Sequence, residues 1–174
     1  MSESAPLTPD ETPVSRIHWT TVGQVSVDHD GDLVFPPVRP VPGIYRFTIS
    51  DGPEPVAEYI GQAAVSLITR FGLYRSRGKK PSLPLASKTT SRNARHLLDA
   101  LASGHSVRVA LVDEHVTAPD GQMKMIDLAD KTLRDGLEKK LIAWLCTTGA
   151  EVLNRDFNPG WGGAAGKPRP QNDI

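Results

Sequence analysis

Between Gly43 and Tyr74 the alternation of apolar and polar positions reads as strand, turn, strand and then helix. Gly43-Ile44-Tyr45 and Tyr59-Ile60-Gly61 are β-type triplets, each setting a phenol beside a branched residue and a glycine, with the turn-forming Asp51-Gly52-Pro53 between them. Alternation along a strand puts Gly43 and Tyr45 on one face, and likewise Tyr59 and Gly61, so each glycine is expected to leave room beside its tyrosine. A short helix is predicted over Val65 to Tyr74, with Arg70 and Tyr74 four residues apart and hence on one face.

Upstream, Ile17-His18-Trp19, Thr21 to Val27 and Leu33-Val34-Phe35 predict a β-hairpin turning at residues 28–32, and Pro36, Pro37, Pro40 and Pro42 form a stiff connector into the first triplet. The acids and histidine of that turn lack the downstream glutamate of a calcium loop and read as a plain turn. Downstream, Ser91 is expected to cap a helix whose apolar positions Ala94, Leu97, Leu98 and Leu101 keep helical spacing, with Gly104 ending it. Ser106 to Val112 reads as a buried strand beside the hairpin. A long helix is predicted from Asp127 to Cys146, with Leu137, Leu141, Ile142, Trp144 and Leu145 on its core side. Glu138 falls inside that stripe, whereas Asp135 and Lys139 are expected to point elsewhere. A glutamate there must reach water, pair with an arginine or meet a cation. Gly149 ends the helix, and Glu151 to Asn154 reads as a short strand.

A chain of 174 residues, 39% apolar, suits one compact domain with tails. The expected division is a disordered tail over 1–15, a hairpin and proline connector over 16–42, a core domain over 43–158 and a flexible Gly/Pro-rich tail over 159–174. The single cysteine, Cys146, excludes an internal disulfide, and no apolar run approaches a membrane span, so a soluble cytoplasmic protein with no membrane partner is expected. Net charge is zero, but its distribution is uneven. Arg70, Arg75, Arg77, Lys79, Lys80, Lys88, Arg92 and Arg95 fall in a stretch without an acid, leaving twelve basic against twenty acidic side chains elsewhere. Such segregation attracts phosphates, though the same run also fits an ordinary solvated surface. The lysine- and hydroxyl-rich stretch from Gly78 to Thr90 is expected to be a phosphate-binding loop.

The two triplets, the arginine nine residues after Gly61, the helix-borne Glu138 and the later Asn154 together resemble the GIY-YIG nuclease superfamily. The likeness covers roughly Gly43 to Asn154. It implies an α+β fold with a small mixed or antiparallel three-stranded sheet flanked by helices, here with an N-terminal β-hairpin extension. It also implies a DNA endonuclease leaving a 5′-phosphate and a 3′-hydroxyl. All three tyrosines of the chain, Tyr45, Tyr59 and Tyr74, fall where that family places functional phenols. Arg92 and His96 repeat the arginine spacing but lie too far from Gly61, and Asn158 is a weaker alternative to Asn154.

Phosphodiester hydrolysis needs an activated water, charge stabilisation at phosphorus and help for the leaving oxygen. Glu138 offers one carboxylate, enough to hold a single largely hydrated Mg2+, with Mn2+ as a substitute. Arg70 is the candidate phosphate clamp. Tyr45 is the candidate general base, although a free phenol titrates near about 10, so Arg70 or a metal-bound water must ease its deprotonation. Tyr59 and Tyr74 would orient water or phosphate, and Asn154 would position Glu138 or the backbone. Arg75, Arg77, Lys79, Lys80, Lys88, Arg92 and Arg95 are the candidate nucleic-acid contacts. Two other readings share these features: a non-catalytic nucleic-acid-binding module, and a cutting subunit that takes specificity from a protein partner, with a homodimer as the alternative to such a partner. A protein-interaction domain with an incidental basic face is a third.

Overall fold

A computed structural model describes residues 16–75, 88–117 and 121–154. In chain order the elements are β1 (Trp19–Gln24), β2 (Ser26–Val27), β3 (Leu33–Val34), β4 (Gly43–Asp51), β5 (Glu54–Ala63), α1 (Leu67–Arg75) and α2 (Lys88–Ala102). They continue as β6 (Ser106–Val112), β7 (His115–Thr117), β8 (Met123–Met125), α3 (Lys131–Leu145) and β9 (Glu151–Val152). The class is α+β.

The main sheet has five strands in the order β1-β6-β4-β5-β9, rather than three. All its pairings are antiparallel except β5 with β9, so the sheet is mixed. The β4–β5 hairpin sits at its centre, with Tyr45 opposite Gly61 and Phe47 opposite Tyr59. The two additional strands lie at the edges. β1 pairs with β6, so the expected N-terminal hairpin extension is in part an edge of the core sheet, and the hairpin itself shrinks to two residue pairs between β2 and β3. Gly23 permits this: at φ 149° it absorbs a register shift in β1, and a Cβ there would stand 2.8 Å from Pro36. The Asp28 side chain accepts from the backbone of Asp30 and Asp32, which confirms the plain turn.

Alternation along β4 and β5 divides the interior into two cores. Tyr45, Phe47, Ile49, Ala57 and Tyr59 face α1 and α2, where Leu67, Phe71, Tyr74, Ala94 and Leu97 are buried. Ile44 and Ile60 face α3, against Leu133, Leu137, Leu141 and Ile142. Both central strands are therefore covered on both sides. Arg46 and Glu58 meet on the α3 side, where Glu58 is 1% exposed and also accepts from Thr48, a buried ion pair that no spacing announced.

Helix boundaries differ where polar residues carry the ends. α1 starts at Leu67, with the Ser66 carbonyl accepting from Arg70 N at 3.0 Å and its hydroxyl from Thr69 N, while Val65 is exposed. α2 already contains Ser91, which is therefore not its cap. Its buried face runs back to Thr90, a polar position that hydrophobic spacing could not include. The Gly104 stop holds: His105 N bonds Ala100 O and Gly104 N bonds Leu101 O, with Gly104 at φ 85°. α3 is capped by Asp130, whose side chain accepts from Leu133 N, and Trp144 is partly exposed rather than core, its ring 5.7 Å from the Arg46 guanidinium.

Candidate active site

The two triplets supply the floor of the site. Tyr45 and Gly61 are cross-strand partners, and a Cβ on Gly61 would lie 2.6 Å from Tyr45 Cζ and 2.7 Å from Tyr59 Cε1. Gly61 thus makes room for both phenols, the neighbour along its own strand and the one across the hairpin. Gly43 does something else: a Cβ there would stand 3.0 Å from Leu67, so its small size seats α1 rather than Tyr45.

α1 brings Arg70 and Tyr74 over that floor, as their spacing requires. The hydroxyls of Tyr45 and Tyr74 share a hydrogen bond of 2.8 Å, and Arg70 Nε donates to Tyr45 Oη at 3.0 Å. Arg70 Nη1 donates to Thr90 Oγ1 at 3.3 Å, and the guanidinium lies 5.3 Å from the centre of the Tyr74 ring. Tyr45 and Tyr74 are fully buried, Tyr59 nearly so and Arg70 half-buried. Burial drives the Tyr45 phenol well above its ordinary range, and the neighbouring Tyr74 and Tyr59 add to this while Arg70 pulls the other way. Tyr59 is raised for the same leading reason. For Arg70, burial disfavours the charge, but the surrounding phenol oxygens outweigh it and hold the guanidinium protonated. The easing of Tyr45 ionisation expected from Arg70 is present, but smaller than the effect of burial.

Glu138 approaches from the other side of the sheet. β9 pairs with β5 only at Ala57 and Glu58, so among the described residues no strand covers the outer edge of β5 at its Gly61–Ala63 end. There Gln62, pointing to the α3 face, donates through Nε2 to Glu138 Oε2 at 2.8 Å and to Asp135 Oδ1 at 2.9 Å. Gln62, Ala64, Lys131, Arg134, Asp135, Glu138 and Lys139 line a cleft of about 330 Å³. Asp135 and Lys139 therefore share the site with Glu138 instead of pointing away. Residues three apart on a helix are neighbours, and the hydrophobic stripe ends where this acidic edge begins. Burial raises the Glu138 pKa, the Gln62 hydrogen bond and Arg70 oppose the rise, and Asp135 adds to it. Asp135 itself is lowered by its bonds from Lys131 and Gln62. Glu138 adds a small contribution to the rise at Tyr59, after burial and the nearer phenol.

Asn154 acts on the backbone. Its Oδ1 accepts from Ile60 N at 3.0 Å and its Nδ2 donates to Ile60 O at 2.6 Å, holding the middle residue of the second triplet in place. Arg92, the alternative arginine, stands apart from the tyrosines: its bonds run to Asn93 and to Leu153 O. Of the basic candidates, Arg75 is exposed and pairs with Asp28 at 3.4 Å, Lys88 and Arg95 are exposed on α2, and Arg77, Lys79 and Lys80 lie outside the described residues. So do Asn158 and most of the expected phosphate-binding loop, of which Lys88 to Thr90 open α2.

Sequence reasoning missed Thr90, Gln62, Arg134 and Asp135. Gln62 carried a usable signal, because it directly follows the second triplet on the opposite face from Gly61. The buried face of α2 also holds Asn93, whose Nδ2 has no hydrogen-bond partner among the described residues.

The scaffold is a mixed sheet between helices, with an arginine and three phenols on one face of its central hairpin and a carboxylate meeting Gln62 from the other. The two triplets lie in one hairpin, with Tyr45 opposite Gly61. No family model and no curated protein matches the chain. Among solved structures the chain is similar to a mutant form of bacteriophage T4 EndoII, with 20% identity, a TM-score of 0.44 and coverage of 62% of this chain and 77% of that one.

Proposed function

We propose that the protein is a metal-dependent endonuclease that hydrolyses DNA phosphodiesters by direct attack of water, leaving 5′-phosphate and 3′-hydroxyl ends. The observation that carries this reading is the position of Arg70, held at Nε by Tyr45 and at Nη1 by Thr90, over the strand end where Gly61 faces Tyr45 and the next residue, Gln62, holds the half-buried Glu138. A pre-oriented guanidinium can stabilise charge developing on a phosphate without reorganising. Tyr45 and Thr90 fix its plane, leaving Nη2 to meet a phosphate oxygen.

Glu138 fits a hydrated Mg2+, which takes one or two carboxylates and keeps several waters, and Asp135, held by Gln62 and Lys131, adds negative charge beside it. Among the described residues no three His, Cys, Asp or Glu side chains gather, so a cage of protein ligands is not the arrangement invoked. Burial that disfavours the charged Glu138 is relieved when a cation sits beside it. A bound Mg2+ supplies a water of lowered pKa and counter-charge for the phosphate. With its raised pKa, Tyr45 is a neutral phenol in the resting state and serves as the rest for Arg70; to accept a proton from water it would first have to give up its own, which positive charge close by would favour. Tyr59 and Tyr74 orient water or phosphate at the rim, and Asn154 keeps Ile60 and its neighbours in register.

The test is cleavage of supercoiled plasmid and of single-stranded DNA and RNA, with Mg2+ or chelator, by wild type and by Glu138→Ala and Arg70→Ala. Mg2+-dependent cutting lost in Glu138→Ala with DNA binding kept, and both weakened in Arg70→Ala, is the expected result. Salt-dependent binding without cutting on any substrate would turn the reading to a binding module or to a cutting subunit that needs a protein partner.

A further inference from the structure

We propose that Gln62, oriented by the buried guanidinium of Arg134, is the positioning residue that fixes the Glu138 carboxylate for a divalent cation. This rests on the reading of Glu138 as the cation ligand. Arg134 is 3% exposed, and its Nη1 donates to the carbonyls of Leu128 at 2.7 Å and Ala129 at 3.2 Å, in the turn that leads into α3. Its Nε donates to Gln62 Oε1 at 2.6 Å. A guanidinium has donors only, so the two ends of the Gln62 amide are not interchangeable. Oε1 must face Arg134, and the NH2 group must face the acids. That group then reaches Glu138 Oε2 and Asp135 Oδ1 together.

The consequence is directional. One oxygen of Glu138 is tied to β5, and the carboxylate is held with Oε1 as the atom that meets the cation. Asp135 takes the second amide hydrogen and is also paired with Lys131 one turn earlier in α3, so both of its oxygens are engaged. The same three side chains tie the start of α3 to the end of β5, which sets the distance between the carboxylate and the Tyr45–Arg70 cluster across the strand. Outer partners of this kind typically change metal affinity or activity by about 10–100-fold when removed.

The test uses Mn2+ as the probe on the full chain, read by electron paramagnetic resonance and calorimetry without DNA, and by plasmid cleavage against Mn2+ concentration. Gln62→Met, close in volume but without the amide, is expected to raise the Mn2+ dissociation constant on the order of tenfold. The Mn2+ needed for half-maximal cleavage should rise by the same factor, and saturating Mn2+ should restore most of the rate. DNA binding in chelator should stay unchanged. Gln62→Asn, too short to span from Arg134 to Glu138, should behave alike and replaces the first variant if that one does not fold. Wild-type Mn2+ affinity in a folded variant overturns the proposal. So does a loss in Asp135→Asn equal to that in Glu138→Gln with none in Gln62→Met, which would make Asp135 the second ligand. A wild-type protein that binds no Mn2+ overturns the nuclease reading itself, and the proposal with it.

Discussion

The hydroxyl of Tyr45 stands 2.8 Å from that of Tyr74, both side chains are fully buried, and the Tyr45 oxygen also receives Arg70 Nε. The phenol pair is thus the mount of the only guanidinium that faces the tyrosines among the described residues. Tyr45→Phe removes that acceptor and leaves a half-buried charged donor unmet, at a cost of about 1.5–3 kcal/mol in stability. Cleavage should fall about a hundredfold, as for loss of a preorganised electrostatic contact. Tyr74→Phe keeps the ring under Arg70 and the Arg70–Tyr45 bond, so its loss should be an order of magnitude smaller. Urea melts and single-turnover cleavage of both variants check the pair, and equal losses would contradict the assignment.

Gly61→Ala tests the floor. The added methyl would fall within 2.7 Å of the Tyr45 and Tyr59 rings, which are packed among Phe47, Phe71 and Tyr74 and have little room to yield. Destabilisation of about 1–3 kcal/mol is expected, as for other overpacked sites, with cleavage falling further than stability because Tyr45 carries Arg70. Gly43→Ala meets only the end of Leu67 and should cost less.

Asn154→Ala leaves the N–H and carbonyl of Ile60 without their partners beyond the end of β9. Unmet buried backbone groups of this sort cost about 1–3 kcal/mol each. Hydrogen exchange should speed up at Ile60 and in its neighbours in β5 while the β4–β6 pairing stays protected. Loss of protection across the whole sheet would instead assign Asn154 a global role.

The pH dependence of stability follows from Glu138. Its folded pKa lies above the reference value of 4.5, chiefly through burial, so the folded state holds the proton more tightly than the unfolded state. Between 4.5 and the folded value the native protein binds more protons, and stability falls as pH rises through that window. Asp135, lowered from 3.8, works in the opposite sense and loses its contribution as pH falls below that value. Melting temperatures in chelator should therefore show wild type losing ground to Glu138→Gln as pH climbs from the acid side, with the gap constant above the window. Added Mg2+ should close the gap for wild type only.

How much of this was legible in the chain depends on the range of the interaction. The β4–β5 hairpin, the buried strand at Ser106–Val112, the helix stop at Gly104 and the shared face of Arg70 and Tyr74 all follow from periods of two or 3.6 residues and from turn chemistry, which act over a few positions. The helical glutamate and the later asparagine were also visible as residue types, and of the two roles open to Asn154 the bonds to Ile60 show the backbone one.

What the sequence determined by itself was the local geometry of each piece: two triplets in a hairpin, an arginine and a phenol on one helix face, and a carboxylate on the border of an apolar stripe. Only the tertiary structure decided how those pieces meet. β1 joins β6 across 84 positions or more of chain, the nearest pair being Gln24 with Arg108, and β9 stops after two residue pairs. Those long-range pairings set the sheet at five strands and leave the end of β5 open where Gln62 meets Glu138 and Asp135. Gln62, Arg134 and Asp135 came into view for the same reason. Side-chain hydrogen bonds between β5 and α3 depend on how a helix packs on a sheet, and no periodicity within either element encodes that distance.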